Sequence, residues 1–164
     1  MSIGEKLEVT PSPSLAFENE MRLKLLRLFL LSAAFGWGIS VYGVFAPWHS
    51  ALAQLQGMGA GDIPHDPMLD YWLRMTAGAF TGIGIFFLIL AANPKSFTSI
   101  IAFIGPLLVG EGLILLFYGL KLKLEPLPFY VDVIFCLFTG IGIWSLRHAA
   151  KEISNKSQEP RDGK

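Results

Sequence analysis

The sequence predicts an all-α integral membrane protein, a four-helix bundle, on three observations. Long apolar runs with few or no charges recur four times, and the connections between them are mostly short and punctuated by proline. The whole chain is 52% hydrophobic and only 16% charged, with a mean hydropathy of +0.51, which lies outside the ordinary range of soluble proteins. Formal charge is zero, from 13 basic and 13 acidic residues. No global basic field is therefore present to hold nucleic acid by counterion release, and that partner class is set aside. The lone cysteine, Cys136, falls in an apolar run and has no intrachain partner for a disulfide, so it reads as a small buried apolar residue.

Residues 1–24 read as a polar leader, mixed in charge and broken by Pro11 and Pro13, too long and too acidic to begin a signal peptide. The bundle is expected over 25–150, with spans near 25–46, 68–92, 97–120 and 129–147, and 151–164 as a disordered tail. The first span, LFLLSAAFGWGISVYGVFA from Leu28 to Ala46, carries no charge. Its length of about 19 residues suffices for a hydrocarbon core of roughly 30 Å. The connection from Pro47 to Pro67 is the longest and contains no Lys or Arg. The second span is closed by Asn93-Pro94-Lys95, a helix stop and turn. Gly105-Pro106 is expected to kink the third, because proline has no N–H to donate. Arg147, His148 and Lys151 form a basic collar after the fourth.

Arg22, Lys24, Arg27, Lys95, Arg147 and Lys151 fall on one side of this arrangement, against Lys121 and Lys123 on the other. That bias predicts both termini in the cytoplasm. Trp48, Tyr71, Trp72, Tyr118 and Tyr130 then gather at the opposite face as an interfacial aromatic belt.

The second and fourth spans share a hexapeptide, Phe80-Thr81-Gly82-Ile83-Gly84-Ile85 and Phe138-Thr139-Gly140-Ile141-Gly142-Ile143, offset by 58 residues (138 − 80). Gly36-x-Gly38 with Tyr42-Gly43 in the first span similarly echoes Gly110-x-Gly112 with Tyr118-Gly119 in the third. These matches predict two helical hairpins in parallel repeat. The Gly78 and Gly82 pair is expected to bring helices close together, since lipid supplies no hydrophobic drive between them.

Three charges fall inside the outer half of the spans: Arg74, Glu111 and Asp132. At 1.5 Å per residue they lie about 9 Å, 13 Å and 4 to 5 Å from the outer helix ends. A carboxylate as deep as Glu111 costs on the order of 3 kcal/mol in a lipid-facing position, so it must face protein or water. Arg74 has the intermediate depth and a side chain able to serve both acids, which predicts one inward-pointing cluster. One arginine against two acids leaves the cluster short of a positive charge. Either Glu111 carries a proton, or a cation, ligand or partner completes the neutralisation; alternatively the three form an ion cluster that only fixes packing. His49, His65, Asp62, Asp66 and Asp70 match no established metal-ligand spacing, and no metal is assigned to them. No catalytic residue is assigned either, because no Walker loop, dinucleotide fingerprint, nucleophile elbow or CxxC is present.

With four spans and the segment YWLRMTAGAFTGIGI, in which Arg74 opens the second span ahead of Gly78 and Gly82, the chain resembles the DoxX-like group of small four-helix bacterial membrane proteins. The resemblance covers roughly residues 25–150. It implies a bacterial inner-membrane protein that is an accessory or assembly subunit more than an enzyme, touching the lipid bilayer and other membrane subunits or further copies of itself. Glu111 has no counterpart in that resemblance. The competing expectation is a binding or transport protein whose outward-facing pocket uses Arg74, Glu111 and Asp132 for an anionic or quinone-like ligand. No cofactor is implied by either.

Overall fold

A computed structural model describes residues 13–158. Residues 1–12 and 159–164, the ends of the expected leader and tail, lie outside the described residues. Six helices follow in order: α1 (Pro13–Gly38), α2 (Val41–Phe45), α3 (Trp48–Gly57), α4 (Pro67–Ala92), α5 (Thr98–Leu122) and α6 (Pro126–Gln158). Four segments are long and apolar enough to cross a membrane: Phe17–Phe45, Pro67–Ala92, Thr98–Leu122 and Phe129–Arg147. The chain is a multi-pass membrane protein with an all-helical bundle.

Helix α1 starts inside the stretch expected to be leader. Ion pairs one turn apart, Arg22 to Glu18 at 2.7 Å and Lys24 to Glu20 at 3.0 Å, support its polar first turns. At its other end the first span is not one continuous helix. After Gly38 the ladder tightens to three-residue steps, Ser40 N–H to Trp37 O at 3.2 Å and Gly43 N–H to Ser40 O at 2.9 Å, before the short α2. Two glycines and a serine within five residues make this the weakest part of the span. Pro47 then ends α2 and leaves its last carbonyls without their usual donors.

Helix α4 is capped by Asp66, whose Oδ1 accepts from Met68 N at 2.7 Å and Leu69 N at 3.1 Å, with Pro67 at the first position. Helix α5 runs through Pro106 and closes on Lys123, which takes a left-handed conformation (φ 54°). Leu127 is extended (φ −104°, ψ 126°), so the regular part of α6 begins after it, and the helix continues to Gln158 through residues expected in the tail.

Helix α1 packs on α4 and on α6, α6 also packs on α5, and α2 packs on α4. The order across the bundle is therefore α4, α1, α6, α5. Close approach of α4 to α1 requires glycine: a Cβ on Gly84 would stand 2.6 Å from the Gly38 Cα and N. Helices α5 and α6 meet likewise, where a Cβ on Gly140 would reach Val109 N at 2.9 Å. The Gly78 and Gly82 pair does not play this part, since a Cβ on either would meet nothing within 4 Å. At 100° per residue, Gly82 lies about 200° around the helix from Gly84 and faces away from α1.

The pairs α1/α4 and α5/α6 are the two hairpins of the repeat. A two-fold relation between them would match the α1/α6 interface with one between α4 and α5. No such extended interface forms among the described residues. The buried core, with Leu26, Leu30, Phe87, Leu90, Ile101 and Ile143, gathers at the end of the bundle that carries the termini. Three cavities lie between α4 and α5, under α3, and between α1, α5 and α6.

Candidate functional site

Arg74 stands about two turns into α4 and is occupied locally. Its Nε pairs with Asp70 Oδ1 at 3.1 Å, its Nη2 reaches Asp70 Oδ2 at 3.4 Å, and its Nη1 donates to Val44 O at 2.9 Å. That carbonyl is one of those that Pro47 leaves open at the end of α2. Arg74 is thus the cap that fastens the broken end of the first span to α4. The expected reach of Arg74 to both Glu111 and Asp132 is not seen. Asp70, four residues earlier on the same helix, is nearer and needs no crossing of the bundle.

Glu111 and Asp132 are brought together without it. Both line a cavity of about 310 Å³ between α1, α5 and α6, whose other walls include Trp37, Ser40, Phe80 and Cys136. Glu111 is half-buried and Asp132 more exposed. No ion pair among the described residues reaches either carboxylate, and no Lys, Arg or His lines the cavity. Relative to the expected cluster, the site has lost its cation and kept both acids.

A second cavity of about 500 Å³ occupies the wedge between α4 and α5 and meets the first at Glu111, Trp37 and Phe80, which line both. Apart from Glu111 and the Trp37 indole N–H, its walls are apolar and aromatic, with Ile83, Phe86, Phe103 and Leu107 prominent. Phe103 is 68% exposed and Leu107 50%, so on a chain embedded in a bilayer the wedge is open to lipid. A third cavity, of about 540 Å³, lies under α3, with Tyr42, Gln54, Leu73 and Thr76 among its walls and Phe80 at its border.

Trp37 is the residue that sequence reasoning missed. Its ring meets Phe80 edge-on, with centroids 4.8 Å apart and planes at 63°, and its Nε1 is buried with no acceptor among the described residues. A signal for it existed: the repeat aligns Gly36-x-Gly38 with Gly110-x-Gly112, and the middle positions are Trp37 and Glu111. The two residues at the junction of the cavities are repeat mates.

Three of the acids and histidines considered above are occupied otherwise. Asp66 caps α4, Asp70 holds Arg74, and His65 stacks edge-on against Trp48 at 4.9 Å. Among the described residues no three His, Cys, Asp or Glu side chains come together as a metal site would require.

Comparison of the chain with protein-family models, with curated proteins and with solved structures gave no match. The resemblance to the DoxX-like group therefore rests on the residues quoted for it alone.

Proposed function

We propose that this chain is a membrane binding protein that takes an elongated apolar ligand from the bilayer into the wedge between α4 and α5, with the ligand's polar end at Glu111. One observation carries the reading: Glu111 is a carboxylate without an ion-pair partner at the inner end of an otherwise nearly apolar, lipid-open cavity of about 500 Å³. That volume falls in the range of small-molecule sites, and apolar walls with a few placed polar groups are their usual composition. An anionic ligand is disfavoured, because the cation that would receive it, Arg74, is held by Asp70 and Val44.

The lysine and arginine bias supports an orientation in which the α3 end, and the chamber holding Asp132, face outward. Cysteines placed at Glu20 and Asp62 test this: in intact cells an impermeant thiol reagent should label the second and spare the first, and the reverse pattern overturns the orientation.

An accessory subunit of a larger complex makes a different use of the same opening, since a helix of another protein would fill the unpaired α4 and α5 faces. Purification in mild detergent separates the readings. A chain recovered without other proteins and with an extractable small molecule supports binding; a stoichiometric protein partner, lost on Leu107→Lys, supports the subunit.

A further inference from the structure

We propose that the ligand of this site is a lipophilic organic cation: an apolar or aromatic body carrying one delocalised or alkylated positive charge. The inference rests on the binding reading above and names the chemistry of the head group.

Charge complementarity makes the argument. Two carboxylates, Glu111 and Asp132, line one continuous space formed by the wedge and the chamber, and no basic side chain lines either part. The carboxylate oxygens of Glu111 are not sealed in protein, since the buried side-chain atom left without a partner among the described residues is Trp37 Nε1 alone. A carboxylate at this depth is costly in lipid unless it is neutralised. The one interior arginine within reach in the sequence is committed to Asp70 and to Val44 O. A proton on the carboxyl or a cation that enters the cavity is what remains to neutralise it, and two carboxylates lining one space favour the cation.

The walls say what kind of cation. A small hydrated ion would need oxygen ligands to replace its water shell; the chamber offers only Asp132 and Ser40 beside Glu111, and on the wedge side Glu111 shares its walls with Trp37, Phe80 and Leu107. Aromatic faces of this kind attract a weakly hydrated organic cation through the ring quadrupole, by about 0.5 to 2 kcal/mol per contact. Arrival through the lipid-open side suits a molecule that already dissolves in the bilayer.

The full chain is reconstituted in lipid nanodiscs and its binding of three probes of nearly one shape is measured by equilibrium dialysis, with empty nanodiscs as the blank. The probes are tetraphenylphosphonium, neutral tetraphenylsilane and the tetraphenylborate anion. The expected result is saturable binding of the cation, with the neutral and anionic probes at least about tenfold weaker, the scale of one lost charge-assisted interaction. Glu111→Gln should remove the preference for the cation, while Asp62→Asn, in the outer connection, should leave it intact. Equal binding of cation and neutral probe overturns the cation proposal and leaves the wedge as a binding site. Binding of none of the three overturns both readings. Should Glu111→Gln fail to fold, the three-probe comparison on the unaltered chain decides by itself.

Discussion

Helices α4 and α6 carry the same hexapeptide and end in different surroundings. In α6, Thr139 is 2% exposed and Ile143 fully buried, and a Cβ on Gly140 would run into the backbone of α5. In α4, the equivalent Ile85 is 55% exposed and a Cβ on Gly82 would meet nothing within 4 Å. Gly84 and Gly142 keep corresponding roles, each turned toward α1, where they face Gly38 and Phe29, and Phe80 and Phe138 each meet an aromatic ring of α1, Trp37 and Phe29. Identical residues are thus buried or open according to how many helices stand beside them: α6 lies between α1 and α5, whereas α4 has α1 on one side and the wedge on the other. The wedge between α4 and α5 lies where a two-fold repeat would place the counterpart of the α1/α6 interface.

Filling the two glycines breaks or confirms this comparison most sharply. Gly140→Leu should destabilise the bundle in detergent by about 3 kcal/mol or more, because the added side chain meets backbone that cannot yield, while Gly82→Leu should leave thermal unfolding nearly unchanged. Equal losses would mean that α4 is packed on both sides after all. A Gly82→Leu that leaves the isolated chain stable but strips away a copurifying protein would show what covers α4 in the membrane.

Truncation of the equivalent isoleucines comes next. Ile143→Ala should cost about 2 to 4 kcal/mol through the cavity it leaves, and Ile85→Ala less than about 0.5 kcal/mol. Denaturant unfolding of the two variants side by side checks the difference, and a ratio near one would undo it.

The N-terminal end of α4 supplies a smaller effect. Arg74→Ala should cost about 1 kcal/mol, from one charge-assisted hydrogen bond to Val44 O and a partly exposed pair with Asp70. The loss should appear as faster proteolysis within α2 and α3, which that bond fastens down, before any change in global unfolding.

The smallest effect is expected at Glu111. Glu111→Gln should move stability by no more than about 0.5 kcal/mol, because no ion pair among the described residues is broken. A large loss would instead reveal a structural partner for this carboxylate, and would make the open wedge a packed one.

Hydropathy, helix stops and loop lengths were enough to read the four spans and the all-helical class, because a bilayer demands long apolar helices whatever their neighbours. The packing of α1 on α4 and of α5 on α6 agrees with the hairpin pairs that the repeat suggested. Which faces touch was not legible. Gly78 and Gly82 have the small-residue spacing of a contact, yet Gly84 makes the contact, because in lipid every face is apolar and composition does not mark the one that packs. The partner of Arg74 depended on where the first span breaks, and hence on a carbonyl left open by Pro47, which side-chain depths along straight helices could not include. The joining of Glu111 with Asp132 and Trp37 depended on the unequal packing of two similar hairpins. Sequence alone determined the four spans and the cost of a charge within them; the tertiary structure decided which charges meet, since that is a matter of which helix faces remain unfilled.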